Sequence, residues 1–75
     1  MRQIKAVQPL DNYKLKLVFD NNESKTFNVL PYMNRGIFKE LHDPEYFKKV
    51  SICFDSIQWP NGQDFDPDCL YIESS

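Results

Sequence analysis

Glycine, histidine and cysteine are scarce in this 75-residue chain, at two, one and two residues, and each scarcity removes a class of function. With no Gly/Ser-rich run and no block of like charge, nothing reads as a linker or a disordered tail. The lone histidine, His42, falls at the end of a predicted helix, and no residue pattern near Cys53 or Cys69 suggests a thiolate activated by it, so no catalytic residue is expected. Cys53 and Cys69 lie far apart with no C-x-x-C spacing, which supports neither a zinc site nor a redox pair, so both are expected to be small buried hydrophobes rather than a disulfide. No apolar run approaches the roughly 18 residues of a membrane span, and the N-terminus lacks the apolar core of a secretion signal. A cytoplasmic protein without membrane contact is the expectation.

What is present is core material. Residues of hydrophobic type make up 41% and aromatic residues 15% of the chain, enough for one folded domain over residues 1–75 and too little length for a second. The net charge of −2 hides a division. All nine Lys and Arg fall in residues 1–50, against six acids, whereas residues 51–75 hold five acids and no base. An acidic balance argues against a domain that grips a phosphate backbone, and an acidic C-terminal third suits a basic partner.

Hydrophobic periodicity predicts α+β architecture, with a small antiparallel sheet carrying short helices on one face. Tyr13, Leu15, Leu17 and Phe19 alternate with Lys14 and Lys16, the pattern of a half-buried strand. Asp20 to Glu23 suits a hairpin turn, and Thr26, Phe27 and Val29 continue the sheet. Ile4 to Val7, closed off by Pro9, precedes them, which gives an N-terminal three-stranded meander ended by Pro31. Ile37, Phe38 and Leu41 recur at helical spacing after Gly36. Asp43-Pro44-Glu45 then reads as a helix start, with a capping aspartate and proline in the first turn. Val50, Ile52 and Phe54 alternate with Ser51, Cys53 and Asp55 as a further strand, and another ends near Trp59. Gly62 suits a turn that demands positive φ. Asp66-Pro67-Asp68 repeats the cap pattern ahead of a short helical turn that packs Leu70 and Tyr71.

Three constellations carry candidate chemistry. Asp64, Asp66 and Asp68 alternate like the start of a calcium loop, but Cys69 stands where that loop needs glycine and Ser75 where it needs glutamate, so no metal and no cofactor are expected. Lys14, Lys16 and Lys25 are placed on one outer hairpin face, an alternative nucleic-acid or small-ligand surface, although the aromatic residues that would stack bases are needed in the core. Trp59, Asn61, Asp64, Asp66, Asp68 and Tyr71 form the candidate partner-binding edge. A chain of this size also needs its lone tryptophan inside.

The run from Ser56 to Tyr71, with its Trp59-Pro60-Asn61-Gly62, Asp64 and Pro67-Asp68-x-Leu70-Tyr71 elements, resembles the bacterial domain-of-unknown-function family DUF2442. Gly36, Ile37, Phe38 and Leu41 match that family's helix, and Asp43 and Phe47 match the segment after it. The resemblance implies an α+β fold and transfers no catalytic residue. Some members look like the front half of proteins continuing into a helix-turn-helix domain, and others like partners in toxin–antitoxin-like gene pairs. With the sequence running to Ser75, DNA binding through such an extension is not expected. The resulting expectation is a non-enzymatic interaction or regulatory module, antitoxin-like, docking a small basic protein, with an open sheet edge that leaves room for a homodimer.

Overall fold

The structure, a computed structural model, describes residues 2–75 and contains two three-stranded antiparallel sheets with short helical segments between and after them. The first sheet is the N-terminal meander β1 (Ile4–Leu10), β2 (Lys14–Phe19) and β3 (Ser24–Asn28). Leu15, Leu17 and Phe19 are buried while Lys14 and Lys16 are exposed, as alternation on a one-sided sheet requires. The register shift between Ile4 and Ala6 accounts for an irregular spacing in β1. It lets both Ile4 and Val7, three apart, turn toward the core side of the sheet.

Two expectations for this sheet need correction. Pro9 does not close β1 but pairs within it, opposite Leu15. A residue without an N–H is tolerated because β1 lies at the edge of its sheet. Tyr13 is not a strand residue; it sits in the turn with Asn12, at φ of 58° and 63° respectively. Its ring meets Phe47 edge to face at 5.3 Å, and its hydroxyl donates to the His42 carbonyl.

Pro31 occupies the first turn of a 3₁₀ segment, Leu30–Tyr32, and a second 3₁₀ helix follows over Gly36–His42, with Gly36 at φ 43°. Helix α1 (Pro44–Phe47) is capped by Asp43, whose side chain accepts from the Glu45 N–H at 3.0 Å. The later strands, β4 (Ser51–Cys53), β5 (Ser56–Gln58) and β6 (Asp64–Phe65), form a separate sheet rather than extending the first. Helix α2 (Pro67–Glu73) is capped by Asp66, which accepts from the Cys69 N–H. Beyond α2, Ser75 exchanges two backbone hydrogen bonds with Thr26 and so covers part of the open edge of β3.

Both sheets and the helical segments contribute to one core of Ile4, Leu15, Leu17, Phe19, Phe27, Val29, Met33, Leu41, Phe47, Ile57, Trp59 and Leu70. Aromatic rings knit it together: Phe65 lies within about 5–6 Å of Phe27, Tyr32, Phe38 and Trp59. The cysteines are not in it. Both are free, Cys69 is exposed and Cys53 is partly exposed, because β4 lies at a sheet edge and Cys69 on the outer side of α2.

Candidate functional site

The run from Trp59 to Asp68 divides into a part that locks the fold and a part that faces outward. Trp59 is 1% exposed, and its indole N–H donates to the Phe47 carbonyl at 2.9 Å. As a partner-binding residue it is therefore corrected: its ring is the largest in the core and offers a partner no surface. Pro60, Asn61 and Gly62 form a tight turn, closed by the Gly62 N–H to the Trp59 carbonyl and made feasible by a φ of 98° at Gly62.

Gln63, which no hydrophobic pattern marks as a core residue, is the one this turn delivers inward, and it is fully buried. Its amide donates to the Ile37 carbonyl at 2.8 Å and to Glu40 Oε1 at 3.0 Å, and its oxygen accepts from the Tyr46 hydroxyl at 2.7 Å. The same hydroxyl accepts from the Asn61 N–H, while the Asn61 amide donates to Glu40 Oε2 at 2.6 Å. Glu40, Tyr46, Asn61 and Gln63 thus tie the turn to the 3₁₀ helix and α1. No buried side-chain polar atom among the described residues is left without a partner. Asn61 is consumed in this network rather than offered to a ligand. The only sequence signal was Gln63 itself, a polar residue four positions after a core tryptophan on a turn.

The aspartates divide in the same manner. Asp66 caps α2, and Asp68 Oδ1 accepts from the Arg2 N–H at 2.9 Å. Asp64 is exposed on β6. Among the described residues, no group of three or more His, Cys, Asp or Glu side chains converges on a point where a cation would sit. Both Arg2 and Lys25 lie over the Tyr71 ring, their cationic ends 4.1 and 3.7 Å from its centroid. Its hydroxyl donates to Glu23, which holds that carboxyl below the usual glutamate range, with a second hydrogen bond from Asn21 adding to the effect. Burial, reinforced by Glu73, pushes the Tyr32 phenol up.

The lysine face does not assemble. Lys14 and Lys16 stand opposite Asn28 and Thr26, whereas Lys25 stands opposite Leu17. Directly opposed residues share a face, so Lys25 belongs to the core side, where its ammonium donates to the Tyr71 carbonyl at 2.9 Å. His42 is exposed and lies beside Tyr13, 6.3 Å between ring centroids.

A shallow groove remains beside the tip of the β4–β5 hairpin, lined chiefly by Phe54, Asp55, Asp64, Phe65, Asp66 and Pro67. Phe54 does not continue β4 as alternation predicted. It is the first residue of the hairpin turn, at φ 55° and 97% exposed. Alternation cannot reveal this, because a run of β-favouring residues reads the same whether its last member pairs or turns.

Two antiparallel sheets closed over an aromatic core by a polar clamp define a small α+β domain, with no helix among the described residues long and apolar enough to cross a membrane. The profile of the family described as "Protein of unknown function (DUF2442)" matches residues 4–74, and the chain belongs to that family. Comparison with curated proteins and with solved structures gave no match.

Proposed function

We propose that this domain is a non-enzymatic, cytoplasmic interaction module, antitoxin-like, that docks a small basic protein through its acidic C-terminal third. The observation that supports the reading is the charge division given a spatial form: Asp55, Asp64 and Asp66 line one groove with no cationic side chain among its walls. The ion pair among the described residues is Arg2 with Asp20, at 3.7 Å, so none of the three groove aspartates has a cationic partner among the described residues, although Asp66 also caps α2. Uncompensated like charge on one surface is a steering device, accelerating encounter with an oppositely charged protein and disfavouring phosphate backbones. The rival nucleic-acid reading loses its motivation, since Lys25 does not join Lys14 and Lys16 on one face.

The test is affinity capture of the tagged domain from its host at low and at about 0.15 M salt, beside a variant carrying Asp55→Lys and Asp64→Lys. These positions leave the Asp66 cap and the Asp68 bond to Arg2 intact. The proposal expects one small basic protein retained by the native domain and lost by the variant. Recovery of nucleic acid alone, or of the same protein with both baits, rejects it.

A further inference from the structure

We infer that the groove beside the β4–β5 hairpin is a binding site for a basic peptide segment of a protein partner, with Phe54 as its apolar anchor. This deepens, and rests on, the docking reading above. Phe54 is anomalous twice over. It is 97% exposed, so it contributes almost nothing to the core of a domain that has little apolar surface to spare. It also holds φ at 55°, at the first position of a two-residue turn between Cys53 and Ser56, where glycine or asparagine is at ease and an aromatic side chain is not. The turn geometry costs folding free energy, and at 97% exposure the Phe54 ring recovers almost none of it by burial. A contact made outside the chain would recover it.

The chemistry of the occupant follows from the walls. Phe54, Phe65 and Pro67 supply apolar surface, and Asp55, Asp64 and Asp66 supply carboxylates on the same groove. An arginine or lysine side chain matches both, laying its aliphatic stem on the apolar surface and its charged head against the carboxylates and over the exposed ring. A neutral apolar peptide would desolvate these carboxylates without supplying a counter-charge, and a nucleic acid would meet like charge.

The experiment uses fluorescence anisotropy with a labelled octapeptide of alternating arginine and leucine, at about 0.15 M salt, and its glutamate–leucine counterpart as control. The native domain should bind the basic peptide and not the acidic one. Phe54→Gly and Phe54→Asn should each weaken binding at least about tenfold, as loss of an interface anchor does, while melting no lower than the native domain because the turn is relieved. If both variants bind as the native domain does while Asp55→Lys with Asp64→Lys weakens binding, the anchor is refuted and electrostatic docking stands. If both variants melt lower and bind unchanged, Phe54 is a folding residue and the inference fails. Absence of binding to the basic peptide overturns the groove as its site, and the capture from the host then judges the broader reading independently.

Discussion

Replacing Gln63 by alanine tests the clamp that holds the Trp59–Gly62 turn. The substitution removes three hydrogen bonds from a fully buried side chain, one of them to a carboxylate. A neutral bond contributes about 1 kcal/mol net and a charge-assisted one about 2 kcal/mol, which puts the loss at about 4 kcal/mol before relaxation. Relaxation softens it, because the Tyr46 hydroxyl keeps the Asn61 N–H and Glu40 keeps the Asn61 amide. We expect about 3 kcal/mol. Chains of this length have total stabilities of roughly 4–11 kcal/mol, and each kcal/mol moves the midpoint of such a domain by roughly 4–8 °C. Circular dichroism should therefore show Gln63→Ala melting at least about 12 °C below the native domain. Gln63→Glu should be worse near neutral pH, since it places a second carboxylate against Glu40. That like-charge pair raises the folded-state pKa, so the variant should recover stability as pH falls. A loss under about 1 kcal/mol for Gln63→Ala, or no acid recovery for Gln63→Glu, would refute the clamp.

Two further outcomes follow from local geometry. Gly62→Ala meets no neighbouring atom within 4 Å, so its cost is the backbone at φ 98° alone, about 1–2 kcal/mol by urea unfolding. Glu23 has a lowered folded-state pKa, chiefly through the Tyr71 hydroxyl, so its contribution is present above the ordinary value of 4.5 and is lost as pH falls through the folded value. Tyr71→Phe should flatten that acid-side decline in melts run between about pH 3 and 6, and an unchanged slope would contradict the assignment.

Much of this architecture is legible because its causes are local. Leu15, Leu17 and Phe19 declare a one-sided strand through period alone, and Asp43-Pro44 and Asp66-Pro67 announce helix starts because capping involves neighbours in sequence. What escapes the sequence depends on partners far along the chain. Lys25 is not such a case: standing two residues before Phe27, it shares that residue's core-facing side of β3 by strand period alone, and it pairs opposite Leu17 accordingly. Gln63 becomes a core residue only because Ile37, Glu40 and Tyr46 are brought to it across more than 15 positions. Trp59 serves the core because a small domain needs its largest ring there. Phe54 is the converse case, an aromatic that alternation assigns to a strand and that the turn instead presents to solvent.

The central claim is that the run from Trp59 to Asp66 separates a structural clamp from an outward-facing acidic docking surface. Its most direct test is paired measurement of melting temperature and partner capture for Gln63→Ala and for Asp55→Lys with Asp64→Lys. The account predicts that Gln63→Ala melts far lower yet, where still folded, retains the basic partner, and that the charge-reversed variant melts near the native temperature and loses it. Loss of the partner by the clamp variant at a temperature where it remains folded, together with retention by the charge-reversed variant, would contradict the account.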